Sequence, residues 1–147
     1  MYRLIISAVG ALAICVFAWG CGSSGEDTAT AQVTKTEYVK QAKAICEKVG
    51  KKMEAAALAW PKAHGGKELD FDTSLKAIIG PTLEQEAEEL RTLAPPEGGE
   101  EKVSRMVNHL ARGAAAYTRE GAELKSVADI RAFQQEAKPY GLQACWV

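Results

Sequence analysis

The residues of this chain with chemistry to offer are four cysteines, two histidines and a run of glutamates. Cys15, Cys21, Cys46 and Cys145 are widely spaced. No Cys-x-x-Cys occurs, and neither Cys46 nor Cys145 has a base beside it in sequence, so a catalytic thiol is not expected. His64 lies in a Pro61–Gly66 connection, and His109 lies about 110° from the apolar centre of its helix, a mostly solvent-facing position. Neither His-Glu-x-x-His nor Glu-x-x-His is present, so the common helical metal motifs are absent. Glu84, Glu86, Glu88 and Glu89 could do acid–base or cation work, but they fall on the polar side of a helix and read as a solvated charged surface. Phosphate-binding glycine loops and the Gly-x-Ser-x-Gly elbow are missing as well. The expectation is a non-enzymatic chain with no catalytic residue, no metal site and no cofactor. A ligand groove lined by Trp60 and Tyr117 is the alternative that would make it a small-molecule carrier or sensor, since helical bundles host sites between their helices. An envelope enzyme using His109 or the glutamates is the remaining reading.

Size and charge narrow the field further. The 147 residues suit one domain and a targeting segment, and 47 % apolar with 25 % charged residues supports a packed core. The formal charge is −1, and removing residues 1–20 takes away only Arg3, which leaves −2. No basic field exists to hold nucleic acid or anionic lipid, so contact with a membrane requires an anchor.

The N-terminal residues supply one. Met1-Tyr2-Arg3 is followed by an uncharged apolar run from Leu4 to Trp19, shorter than the roughly 20 residues of a spanning helix and built like an export signal. Phe17-Ala18-Trp19-Gly20-Cys21 resembles the lipobox of bacterial lipoproteins, with departures at Ala18 and Trp19. That resemblance implies cleavage before Cys21 and lipid on its thiol, and two or more acyl chains hold a protein stably to a membrane. Two other fates stay open. Ala29-Thr30-Ala31 matches the ordinary signal-peptidase site and would give a secreted product, and the apolar run could stay as an uncleaved anchor. The organisation expected is a signal over residues 1–20, a lipidated cysteine and flexible tether over 21–34, and a helical domain over 35–147. Gly22 to Val33 is small and polar, and a dozen such residues span about 20 Å root-mean-square.

Helical periodicity fills the rest. Thr34 and Glu37 form a capping-box pattern, after which Tyr38, Ala42, Ile45, Val49, Met53, Ala56 and Trp60 recur three and four apart. A helix of about 26 residues, roughly 39 Å long, should end near Pro61. A second stripe, Phe71, Leu75, Ile78, Ile79, Leu83, Ala87, Leu90 and Leu93, is interrupted by Gly80-Pro81, where a kink or break is expected. Val103, Met106, Val107, Leu110, Ala114 and Tyr117 mark a third helix from Glu100 to about Thr118, with a continuation to Leu124 open. Ser126-Val127-Ala128-Asp129 signals the start of a fourth, with Val127, Ile130, Phe133 and Ala137 inward and Pro139 near its end. No segment alternates with period two. The expected fold is all-α, an antiparallel bundle of about four helices. The first helix carries Lys35, Lys40, Lys43, Lys48, Lys51 and Lys52 against Glu37, Glu47 and Glu54, and this basic face should attract the acidic face of the second weakly or else meet anionic lipid or wall polymer.

With Cys15 removed in the signal and Cys21 lipidated, Cys46 and Cys145 remain as a pair in an oxidising compartment. In an up-down-up-down bundle the C-terminal tail passes the N-terminal half of the first helix, so a Cys46–Cys145 disulfide is expected. The export signal, the tether, "EYVKQAKAICEKV", "LRTLAPPEGGEEKV" and "GLQACWV" together resemble a group of small, mostly uncharacterised bacterial lipoproteins. The likeness implies an extracytoplasmic helical domain with paired cysteines and carries no catalytic residues with it. The function expected is a membrane-anchored binding or interaction module of the cell envelope, with an envelope protein or wall polymer as partner.

Overall fold

Thr34 starts the first helix by the expected reciprocal bonds. Its Oγ1 accepts from the Glu37 backbone N at 3.2 Å, and Glu37 Oε2 accepts from the Thr34 backbone N at 2.9 Å. The Thr34 amide holds the Glu37 carboxyl below its ordinary value. This computed structural model describes residues 32–143 and Cys145. The signal over residues 1–20, Cys15, the lipobox cysteine Cys21 and the Ala29–Ala31 cleavage motif lie outside the described residues.

Helix α1 spans Lys35–Ala63, and its 29 residues make a rod of about 43 Å. It runs past Pro61, because the carbonyl that loses its donor there is that of Ala57, an exposed residue that water can serve. Helix α2 runs from residue 71 to residue 91 in three pieces: a first turn Phe71–Ser74, a π-helical turn Leu75–Ile79, and Gly80–Arg91. Asp70 caps it, Oδ1 accepting from the Thr73 amide at 2.9 Å and Oδ2 from Thr73 Oγ1 at 2.6 Å. Of the kink or break expected at Gly80-Pro81, no break occurs. The chain widens by one residue instead: the Gly80 amide bonds back to the Leu75 carbonyl, and Thr82 Oγ1 donates to the Ile78 carbonyl.

Helix α3 spans Glu100–Glu120 and helix α4 Leu124–Tyr140. The Ser126 start signal is not used. Gly121, at φ 74°, reverses the chain directly after α3, so α4 begins two residues before Ser126. Gly141, at φ 99°, closes α4 in a left-handed cap with the Leu142 amide bonded to the Ala137 carbonyl at 2.9 Å. Among the described residues there is no strand, and no helix is long and apolar enough to cross a membrane.

The four helices form the expected all-α bundle. Helix α3 packs between α2 and α4, and α1 lies on α2. The core is continuous through Tyr38 and Ala42 of α1, Leu83 and Leu90 of α2, Met106 and Leu110 of α3, and Phe133 of α4. Two glycines let the helices approach closely. A Cβ at Gly80 would lie 2.5 Å from Thr118 Oγ1, and one at Gly113 would lie 2.6 Å from Ile130 Cδ1. Phe71 departs from its expected place in the stripe: it opens α2 at the end of the bundle, where no described element covers it, and is 71 % exposed. Leu58, on the C-terminal half of α1, is 76 % exposed.

Candidate functional site

Cys46 sits three turns into α1, on the edge of its buried face, and the turn at Gly141 carries the tail back along that face to Cys145. The two are joined in a disulfide, Cα atoms 4.6 Å apart, across a sequence separation of 99. The same antiparallel arrangement sets Tyr140 edge-on against Tyr38, ring centroids 6.0 Å apart. Tyr38 is fully buried, its hydroxyl has no hydrogen-bond partner, and burial together with Tyr140 pushes its pKa up to about 12.

The third group at this place is Glu86. The sequence reading put it on a solvated acidic surface with Glu84, Glu88 and Glu89; the structure corrects this. Position 86 lies three residues after Leu83 and four before Leu90, both buried, so the register of α2 turns it inward. Glu86 is 2 % exposed, and its Oε1 is buried without a partner. Its carboxyl and the sulfurs of Cys46 and Cys145 all lie within 4.8 Å of one another. Burial first, and the negative charge of Glu89 second, raise the Glu86 pKa to about 8, so the acid keeps its proton at neutral pH. The signal for this is present in the spacing to Leu83 and Leu90, but four glutamates within six positions look like one charged set.

The other acids do what surface groups do. Glu89 pairs with Lys48 and accepts from Gln85, while Lys52 donates to Gln85, so α1 and α2 attract through these residues as expected. These bonds, led by that from Lys48, hold the Glu89 carboxyl below its ordinary value. Glu88 pairs with Arg91, and Glu84 accepts from Thr118 Oγ1 at 2.7 Å.

The histidines divide. His64 is exposed at the end of α1, its ring stacked on Trp60 with centroids 3.5 Å apart. His109 is not solvent-facing as expected, because α4 covers that side of α3. Its Nδ1 lies 2.9 Å from Asp129 Oδ1, which also accepts from Arg112 Nε and Nη2 at 3.2 and 2.9 Å. Burial would raise the Asp129 carboxyl, but the bonds from Arg112 and His109 outweigh it and hold it low. This is a triad that ties two helices together. Trp60 and Tyr117 do not share a groove: the first stacks on His64, and the second is buried in the core. A groove of about 420 Å³ lies between the start of α1, the Pro96–Gly99 connection and Tyr140, whose ring has the Lys35 and Lys102 ammonium groups 4.7 and 5.4 Å from its centroid. It is an open cleft that also carries Glu97, and so has no single charge to offer a ligand.

No protein-family model, no curated protein and no solved structure matches the chain.

Proposed function

We propose that the chain is an extracytoplasmic lipoprotein, anchored through lipid on Cys21, whose helical domain is a non-enzymatic interaction module of the cell envelope. The observation that carries this reading is the Cys46–Cys145 disulfide. It joins the two cysteines that remain once the leader and the lipobox are set aside, and a stable disulfide belongs to an oxidising compartment. The order of the chain supports the rest. Helix α1 begins shortly after Cys21, so the tether meets the bundle at the end that holds Thr34 and Tyr140. The opposite end, about 43 Å away along α1, carries the exposed side chains of Leu58 and Phe71. A protein partner can bury these two apolar side chains, which a polar wall polymer would leave wet.

The test combines the two halves of the reading in intact cells. A palmitate analogue should label the chain, and the label should vanish in Cys21→Ala. A photo-crosslinker at position 58 or 71 should give a discrete protein adduct that one at the exposed Lys40 does not. Label that persists in Cys21→Ala removes the anchor; adducts alike at all three positions remove the docking end.

A further inference from the structure

The element that the interaction reading leaves unexplained is the acid beside the disulfide. A disulfide that only staples the tail to α1 needs no acid beside it, and the register of α2 calls for an apolar residue at position 86. The chain places a carboxyl there, buried and with Oε1 unpaired, within 4.8 Å of both sulfurs. Leaving a buried polar group without a partner is unfavourable, so the position is held against packing preference. We propose that Cys46, Cys145 and Glu86 form a redox-active centre for thiol–disulfide exchange, in which the Glu86 carboxyl protonates the sulfur that leaves when the bond opens. This goes beyond the interaction reading and does not depend on the anchor.

The chemistry closes with a dithiol protein or small dithiol as the reductant. One of its thiols, having lost its proton to solvent, attacks Sγ of Cys145. A bond forms between that sulfur and Cys145, the Cys46–Cys145 bond breaks, and its electron pair goes to Cys46 Sγ. The thiolate that develops there takes the proton of Glu86, which becomes a carboxylate. The second thiol of the reductant returns a proton to Glu86 and attacks the mixed disulfide, and Cys145 leaves and takes a proton from solvent. Two electrons and two protons pass from the dithiol to the pair, and the reductant leaves as a disulfide.

Geometry assigns the sulfurs their parts. Cys46 is fixed on α1 against Glu86. Cys145 is on the tail, which is fastened by Leu142, by the cap at Gly141 and by the disulfide itself. The sulfur-bearing residues are 3 % and 2 % exposed, so attack follows a local lift of the tail rather than unfolding of the bundle. Among the described residues, the charge that acts on Glu86 is that of Glu89 on the same helix, itself bonded by Lys48 of α1, while Lys52 bonds Gln85; residues 141–145 of the tail carry no charged side chain.

The experiment follows opening of the Cys46–Cys145 bond in the full chain by dithiothreitol between pH 5.5 and 9, with thiols trapped and counted by mass. Rates are divided by the thiolate concentration of the reductant, which removes its own titration. With an internal acid the corrected rate is high at pH 6–7 and declines as Glu86 loses its proton. In Glu86→Gln it should be flat and, at pH 6–7, slower by roughly a hundredfold, the lower end of what a positioned acid contributes. Glu89→Gln removes the neighbouring negative charge, so its decline should come at lower pH while Glu86 stays in place. Helicity is recorded alongside to show that each variant is folded. Coincident profiles for the native chain and Glu86→Gln would overturn the proposal. So would opening no faster than global unfolding at saturating reductant.

Discussion

Glu86 is a core position filled by an acid, and its titration should be visible in the stability of the whole domain. In the unfolded chain the carboxyl ionises near 4.5, and in the fold only near 8. Between those values the unfolded state has released a proton that the folded state keeps. Stability therefore falls as pH rises from about 4.5 to 8, by up to roughly 1.4 kcal/mol per pH unit, and levels off above. Denaturant midpoints at pH 5 and pH 8 should show a smaller drop in Glu86→Gln than in the native chain, and equal drops would mean that Glu86 ionises in the fold as it does in water. The sequence displayed this residue in full and still concealed its role. Acids at 84, 86, 88 and 89 look alike as composition, and only the register set by Leu83 and Leu90 separates the second from the rest. His109 was misplaced for a related reason: a wheel drawn on α3 alone omits the cover that α4 and Asp129 provide.

At the scale of elements, the helices were legible because apolar spacing and caps agree. Thr34 and Glu37 start α1 where the pattern says, and the stripes of α3 and α4 are the buried faces. What the local pattern could not give is how elements meet. Gly80-Pro81 reads as a break, yet packing of α2 against Thr118 keeps the chain helical through a π turn. Ser126 reads as a cap, yet the reversal at Gly121 starts α4 earlier. Helix contacts also give glycine two opposite meanings. At Gly113 a methyl group would meet Ile130 at 2.6 Å, so Gly113→Ala should destabilise by about 1–3 kcal/mol. At Gly50, on an exposed stretch of α1, a Cβ would meet nothing within 4 Å, so Gly50→Ala should stabilise by up to about 1 kcal/mol. Thermal melts of the two variants should move in opposite directions, and a shared direction would show that the α3–α4 contact is looser than described.

For the molecule as a whole, the pairing of Cys46 with Cys145 could be reached from the cysteine count and the antiparallel topology, while the groups around the pair could not, because they come together only in the packed bundle. The bond closes a loop of about 100 residues, for which chain entropy gives up to about 4.7 kcal/mol. Replacing both cysteines by alanine should lower the denaturant midpoint correspondingly, and the same variant should match the reduced native chain. A midpoint unchanged by either treatment would show that the core alone holds the tail.

The disulfide also decides how the domain bears load. Any pull arriving along the N-terminal side of the chain enters at Thr34, and only residues 35–45 lie outside the ring closed between Cys46 and Cys145. Tension between Thr34 and the tail at Cys145 can fray those first turns of α1 but cannot draw out the remainder, since that force crosses the sulfur bond. An intact bond makes the domain a short, nearly inextensible link. An open one leaves a chain that pays out from one end to the other.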